Sequence, residues 1–456
     1  MLRSKFETKS LLKIKCHPKK WHFIILHLIF LLVAFISWNY FGLLYVINIL
    51  LLFRFIENSC NTSLIFYLLN SFLYNILFSF GAIGWLFFLE FGKVALLGIS
   101  IVYLTPFLIV YYIKSYKVEY FILIWILCEL LINNFSFPTP LLTIGNALAN
   151  QIHIIQWYSY TSIIGGSIWM FLMGYFLNFS KKGNIKNIKM FFIILVLPIL
   201  FSLEIYYFST SSPIKNNENY KITVFNPSFY QDSSNQNNLA TYLNQKKDQF
   251  LNSELLIIPE SSFQFNSINY KKNITYYKLK NITKKVNINI IAGTNLRIVD
   301  NTFINGALFI NKNISYFKSK QKLIPYSENA PFFIRFLKGK DGVNIKNTII
   351  ENTIENLGFS TYICYDAFFP FYILNNSKNS NIIIVISSEL FLKKSFYGKL
   401  QYKNIMKIRS IENRKPLLLC TENDDSLIID EKGNIIEKSN GNEFHTFEVS
   451  SNYFNF

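Results

Sequence analysis

Residues 190–225 read MFFIILVLPILFSLEIYYFSTSSPIKNNENYKITVF, and this stretch joins two different kinds of sequence. It is almost continuously apolar up to Phe208, polar over 209–219, and β-branched from Tyr220 onward. A helix needs about 20 apolar residues to cross a bilayer, whereas short β-branched runs between polar residues are typical of buried strands. We therefore predict a linker at 209–219 between a membrane half and an α/β half.

The membrane half contains seven apolar segments that are long enough, or nearly so, to span a bilayer. They cover residues 22–38, 41–56, 64–89, 94–113, 119–134, 160–178 and 190–208, and the second and fifth are the weakest. The first segment is followed by others without a small-residue cleavage site, so we interpret it as a membrane helix and not as a removed leader. The sequence predicts an α-helical transmembrane bundle over 22–208.

Positive charges in the short loops predict the orientation of this bundle. The basic segment 1–21 places the amino terminus in the cytoplasm, and the alternate loops contain Arg54, Lys114 and Lys186, whereas the loop 133–155 contains no Lys or Arg. Seven crossings then place residues 220–456 outside the cytoplasm. A hairpin or an interfacial helix in place of one short span would reverse that assignment.

Composition argues against several other functions. The net charge of +18 comes mainly from Lys spread through Asn- and Ile-rich segments, which is weak support for a nucleic-acid partner. The five cysteines contain no CxxC pair and the five histidines no metal-ligand spacing. We expect at least one free thiol and no metal centre.

The second half, residues 220–456, alternates short apolar runs with segments long enough for helices, which favours a layered α/β domain. The predicted strands are 220–225, 255–258, 286–292, 307–310, 360–364, 382–386, 417–419 and 427–429, and residues 430–434 form a predicted hairpin turn.

Three residues stand out beside these runs. Glu260 follows the apolar run 255–259, Cys364 closes the run 361–363, and Lys320 precedes Leu323-Ile324-Pro325. Ligands of α/β sheets are commonly bound at strand ends. Glu260 could accept the thiol proton, Cys364 attack an ester carbonyl, and Lys320 stabilise the oxyanion. A packed cysteine, a solvated strand end and a solvated lysine-rich loop explain the same three residues without chemistry.

The local sequences carry a family resemblance. Ile258-Pro259-Glu260, Ile363-Cys364-Tyr365-Asp366 and the segment Lys320 to Glu328 resemble the base, nucleophile and lysine motifs of the carbon-nitrogen hydrolase (nitrilase) superfamily. The register of the last motif selects Lys320 over Lys318 and Lys322. The attached membrane half, with Gly84-Trp85, Gly145-Asn146 and the segment 409–416, narrows the resemblance to the apolipoprotein N-acyltransferase family.

The resemblance implies an αββα nitrilase-like sandwich on a membrane bundle in a bacterial inner membrane, with the catalytic domain on the periplasmic side. It implies a Glu260, Lys320 and Cys364 triad supported by Glu328, Tyr365 and Asp366. It further implies a phospholipid acyl donor, a thioester on Cys364, and a diacylglyceryl lipoprotein as acceptor. No cofactor is implied.

The sequence also departs from the family pattern. Residues 388–392, SELFL, replace the usual Asn-Asp-Ala-Trp-Phe loop, Asp366 stands where Glu is common, and no further apolar segment precedes Phe456. Two alternatives therefore stay open. One is a membrane-tethered amidase, in which water resolves the acyl-enzyme, and the other is a non-catalytic scaffold, in which the carboxylate, amine and thiol would not converge.

Overall fold

The computed structural model describes residues 20–59, 62–89, 92–114, 116–135, 139–180, 185–208, 219–229, 236–298, 303–325, 328, 358–392, 395–422 and 424–450. Most of the predicted basic segment 1–21 and of the linker 209–219 therefore lies outside the described residues. The first half consists of helices α1 (Lys20–Asn39), α2 (Tyr45–Asn58), α3 (Leu64–Ile83), α4 (Gly92–Val102), α5 (Thr105–Tyr112), α6 (Val118–Ile132), α7 (Tyr158–Ser180) and α8 (Ile185–Phe208).

Helices occupy each of the predicted apolar segments, and four regions are long and apolar enough to cross a membrane. These are Leu64–Phe88, Gly92–Tyr112, Tyr158–Ser180 and Ile185–Phe208. The predicted segment 94–113 differs in one respect, because it is divided into α4 and α5, with Pro106 in the first turn of α5. Proline fits the first turn of a helix, where its missing N–H costs no hydrogen bond.

Helix α8 contains Pro198 in its interior, which leaves the carbonyl of Ile194 without its usual helical donor. The indole Nε1 of Trp169, on α7, donates to that oxygen at 2.6 Å. Ser202 forms a second connection, since its hydroxyl accepts from the backbone N–H of Gln156 at 2.7 Å. In a membrane such polar groups need protein partners, so these two contacts fix α8 against the rest of the helical half.

The second half contains two sheets with helices on their outer faces. The strands are β1 (Asn219–Phe225), β2 (Leu255–Phe265), β3 (Asn289–Arg297), β4 (Phe303–Ile310), β5 (Ser315–Ser319), β6 (Phe359–Ile363), β7 (Ile382–Ser387), β8 (Leu417–Thr421), β9 (Leu427–Ile429), β10 (Ile435–Lys438) and β11 (Phe444–Ser450). The helices are α9 (Gln236–Gln245), α10 (Ile274–Val286), α11 (Pro370–Asn376) and α12 (Phe396–Asn413).

The first sheet has the order β11-β1-β2-β3-β4-β5 and the second β10-β9-β8-β7-β6. Apolar side chains of both sheets, among them Ile257, Ile291, Ile384 and Leu418, form one core between them. Helices α9 and α10 cover the outer face of the first sheet, and α11 and α12 cover that of the second. The predicted αββα sandwich is therefore confirmed, and the turn at 430–434 joins β9 to β10 as predicted.

Helix α12 lies between the second sheet and the helical half, and polar side chains attach it to the helical half. Glu412 pairs with Arg409 of the same helix, and its Oε1 accepts from Ser162 Oγ at 2.6 Å and from the backbone N–H of Ile163 at 2.8 Å. Gln401 donates to the carbonyl of Ala82 at 2.8 Å. The sandwich is thus attached to the bundle by buried hydrogen bonds as well as by apolar contact.

We expect Glu412→Gln to destabilise the whole chain, because it leaves the buried Arg409 guanidinium without its carboxylate. Breaking a buried ion pair from one side costs about 3–5 kcal/mol. Thermal unfolding of the detergent-solubilised protein should show a large decrease in Tm, whereas Glu448→Gln, at an exposed position, should leave Tm nearly unchanged. Equal Tm values for the two variants would contradict this role of Glu412.

Candidate active site

Cys364 lies immediately after β6, at the start of a short 3-10 helix, Cys364–Phe368. Its φ of 44° is in the left-handed region, which is uncommon for a residue with a side chain. The thiol is 1% exposed and belongs to the core between the two sheets. A sharp turn at the end of a buried strand therefore places the sulfur inside the sandwich.

Glu260 was predicted at the end of a strand, but it lies within β2, at an irregular point. The pairing of β2 with β3 is interrupted between Ile258 and Phe263, and Ser261 has a φ of 61°. Gly293 on β3 makes this backbone path possible, since a Cβ there would lie 2.4 Å from the Cα of Glu260. The irregularity directs a carboxylate from the middle of the sheet to the site.

Lys320 follows β5 and is 1% exposed, so it is not part of a solvated loop. Its Nζ lies 2.9 Å from Oε1 of Glu260 and 2.7 Å from Oε1 of Glu328. Its backbone N–H donates to the carbonyl of Asn305, on β4, at 2.8 Å. The ammonium is therefore held between two carboxylates inside the protein.

Two further groups hold Glu260 in place, and neither contact was predicted from the sequence. Asn305 Nδ2 donates to Oε1 of Glu260 at 2.6 Å, and the backbone N–H of Ser388 donates to Oε2 at 3.0 Å. Ser388 follows β7, which pairs with β6 so that Ile363 lies opposite Ile386. This register brings the end of β6, and hence Cys364, next to the loop that contacts Glu260.

Asp366 and Tyr365 lie beside Cys364 but do not contact the ammonium. Asp366 accepts hydrogen bonds from the backbone N–H groups of Lys322 at 2.7 Å and Ile363 at 3.2 Å. Burial raises its pKa to about 6, although the bond from Lys322 opposes the rise. Asp366 thus joins the loop after Lys320 to the end of β6. The ring of Tyr365 packs edge-on against Phe369, at 5.2 Å between centroids.

The electrostatics keep the cysteine protonated and the lysine charged. Burial raises the pKa of the Cys364 thiol well above its ordinary value, and the charge of Glu260 adds to this while that of Lys320 opposes it. Burial alone would lower the pKa of Lys320, but Glu260 and Glu328 raise it well above the ordinary value. The resting site therefore contains a neutral thiol beside an ammonium-carboxylate pair.

Glu389, in the loop that departs from the family pattern, is another buried acid. Neither of its carboxylate oxygens has a hydrogen-bond partner among the described residues. Burial raises its pKa to about 8, and the charge of Asp424 adds to the rise. The side chain is therefore mainly uncharged at neutral pH.

The site contains the groups that acyl transfer through a covalent sulfur intermediate requires. A thiol needs a base to become a nucleophile, and a carboxylate can serve as that base. An ammonium in a buried site stabilises the oxyanion that forms when a carbonyl is attacked. In the described part of the chain, no group of three or more His, Cys, Asp or Glu side chains is placed to hold a metal ion.

Comparison with known proteins identifies the domain. The family model "Carbon-nitrogen hydrolase" matches residues 224–447. Relatives from several bacteria bear the name apolipoprotein N-acyltransferase. The one from Rickettsia typhi is 29% identical over 27% of this chain and 24% of its own length. The one from Rickettsia prowazekii is 25% identical over 71% of this chain and 68% of its own length.

The relative from Campylobacter jejuni is 28% identical over 52% of this chain and 52% of its own length. The aligned part thus covers less than two thirds of two of these three relatives. The match to the family model contains Glu260, Lys320 and Cys364, and it extends over nearly all of the described αββα sandwich. Residues 224–447, joined to a half with four long apolar helices, therefore form a carbon-nitrogen hydrolase domain.

Proposed function

We propose that this protein is an apolipoprotein N-acyltransferase of a bacterial inner membrane, with its sandwich domain on the periplasmic side. In this proposal it moves an acyl chain from a phospholipid to Cys364 and then to the α-amino group of a diacylglyceryl-cysteine lipoprotein. The observation that carries the proposal is the buried Lys320, bonded to Glu260 and Glu328 beside Cys364. The names of the relatives and the apolar helices support a substrate that resides in a membrane.

In the first half-reaction, Glu260 accepts the proton of the Cys364 thiol while the sulfur attacks an ester carbonyl of the phospholipid. The new C–S bond gives a tetrahedral oxyanion, which the ammonium of Lys320 stabilises. The C–O bond to the glycerol then breaks, and the proton on Glu260 goes to the leaving oxygen. The products are a lysophospholipid and a thioester on Cys364.

In the second half-reaction, the lipoprotein amine attacks the thioester carbonyl and Glu260 accepts a proton from the amine. The C–N bond forms, the C–S bond breaks, and the departing sulfur takes the proton back from Glu260. An amide is released and the site returns to its resting state. Lys320 keeps its proton throughout, because both carboxylates favour its charged form in the resting site and Glu328 still does so while Glu260 holds the transferred proton.

Glu328 has a specific part in this mechanism. With Glu260 as its only carboxylate partner, the ammonium of Lys320 would be paired entirely with the group that must accept the thiol proton. Since the ammonium is shared with Glu328, at 2.7 Å, the three groups together carry one net negative charge. Glu260 can therefore take a proton while Lys320 stays charged for the oxyanion.

The acyl-enzyme is directly testable. Purified protein incubated with phospholipid vesicles should gain the mass of one acyl chain on the peptide that contains Cys364. Cys364→Ser should gain no acyl chain that is bound as a thioester. The matched variant Cys128→Ser, which changes a cysteine in α6, should still gain the acyl chain. The acylated enzyme should persist in water and lose its acyl chain when a diacylglyceryl-cysteine peptide is added.

Two results would contradict the transferase. If the wild-type protein gained no mass, no thioester would form on Cys364 and the proposed mechanism would be wrong. If free fatty acid were released at the same rate with and without the peptide acceptor, the result would favour the amidase alternative, in which water resolves the intermediate.

The state of the thiol gives a second prediction. Alkylation of Cys364 by iodoacetamide should increase with pH well into the alkaline range, because only the thiolate reacts and burial and Glu260 both raise the pKa. Glu260→Gln removes a negative charge that raises this pKa, so the pH dependence should shift to lower pH. Peptide mass spectrometry measures the labelling of Cys364 separately from that of Cys128 and Cys420.

Glu448→Gln, which changes an exposed acid on β11, is the control and should keep the wild-type pH dependence. A pH profile that is the same in Glu260→Gln and in the wild type would mean that Glu260 does not act on the thiol.

A further inference from the structure

An apolar groove lies between α7 and α8 on the surface of the helical half, and none of its lining residues belongs to the site around Cys364. It has a volume of about 420 Å³, within the ordinary range for small-molecule sites. Its lining consists of Trp157, Tyr160, Thr161, Leu197, Pro198 and Phe201. Both helices are long and apolar enough to span a membrane, so the groove faces lipid.

The groove has fixed walls. On one side Trp169 Nε1 donates to the carbonyl of Ile194, and on the other Ser202 Oγ accepts from the N–H of Gln156 and donates to the carbonyl of His153. Pro198, between these two contacts, removes one helical hydrogen bond from the groove wall. The space between α7 and α8 is therefore maintained by polar contacts at both ends and is not a chance gap between mobile side chains.

A positive charge lies at the edge of this groove nearest the sandwich. The guanidinium of Arg414, which follows α12, lies 4.7 Å from the ring centroid of Tyr160. Within the described chain, Arg414 is exposed and forms no salt bridge. Tyr160 in turn lies 6.0 Å from Phe201 across the groove. The site thus combines an apolar channel along the helices with a cation beside the first turn of α7, which is one end of a candidate membrane span.

We propose that this groove binds one phospholipid of the surrounding membrane, with an acyl chain between α7 and α8 and the phosphate on Arg414. A guanidinium binds phosphate through two parallel charge-assisted hydrogen bonds, and the apolar lining matches an acyl chain. A phospholipid contains both a phosphate and an acyl chain. A second copy of the bundle would leave Arg414, at the edge of the groove, without a partner. The site does not depend on acyl transfer at Cys364.

Arg414 also connects this lipid to the catalytic domain. Helix α12 carries Glu412, which is bonded to Ser162 and Ile163 of α7, only two residues before Arg414. A phospholipid on Arg414 and Tyr160 therefore contacts both the sandwich and the bundle. Its binding should stabilise the attachment of one to the other, because a ligand that binds only the folded state adds to stability.

The test measures lipid retention by native mass spectrometry of the full chain. A Cys364→Ala background prevents consumption of the lipid, and the probes are dioleoylphosphatidylglycerol, dioleoylglycerol and inorganic phosphate. We expect one phosphatidylglycerol per chain, weaker retention of dioleoylglycerol, and none of phosphate alone. Arg414→Gln should weaken phosphatidylglycerol retention about tenfold, as expected for the loss of one charge-assisted pair, and leave dioleoylglycerol unchanged.

Two matched variants on α8 test the groove itself. Leu197→Trp fills it and should abolish retention, whereas Val196→Trp, at the neighbouring exposed position outside the lining, should not. Thermal unfolding of both variants shows that the fold is intact. Equal retention of both lipids by all variants, or equal loss in the two tryptophan variants, would overturn the proposal and leave only bulk lipid around the bundle.

Discussion

The site depends on one buried cation between two carboxylates. Lys320 cannot be removed from water at 1% exposure unless it is compensated, and Glu260 and Glu328 provide that compensation at 2.9 and 2.7 Å. The reverse also holds, since two buried acids this close together would otherwise repel. Glu260 lies on β2, Lys320 follows β5, and Glu328 lies further along the chain. The ion network therefore fixes the relative positions of distant parts of the chain.

The helical half takes part in this arrangement through a shared layer. Helix α12 is at once the outer helix of the sandwich and a packing partner of α7 and of residues 144–150, which lie in a buried 3-10 helix. Lys322, two residues after Lys320, donates from Nζ to the carbonyl of Asn134 in the helical half at 2.7 Å. The loop that supplies the cation is therefore held from both sides, by Asp366 in the sandwich and by Asn134 in the bundle.

The sequence predicted what depends on local pattern. Apolar runs located most of the strands of both sheets, and Glu260 and Cys364 were singled out because each follows such a run. Strand β11 was missed, because its polar residues alternate and its pairing partner β1 is more than 200 residues away. Asn305 and Gly293 were missed for a related reason, since both lie inside strands and matter only through contacts with Glu260 on another part of the chain. Lys320 could be selected only from its position in the family's lysine motif, because nothing in the local sequence separates it from Lys318 and Lys322.

The altered loop at residues 388–392 shows which part of a family pattern can change without loss of the site. The contact that this loop makes with Glu260 comes from the backbone N–H of Ser388, which donates to Oε2 at 3.0 Å. A backbone donor is the same for every residue except proline, so it depends on the path of the chain and not on the side chain. That path follows from the parallel pairing of β6 with β7, which is independent of the loop sequence. The contact with Glu260 therefore does not depend on the side chains of the loop. Position 389 is acidic in the usual loop as well, and Glu389 is a buried carboxyl group whose raised pKa keeps it mainly uncharged at neutral pH.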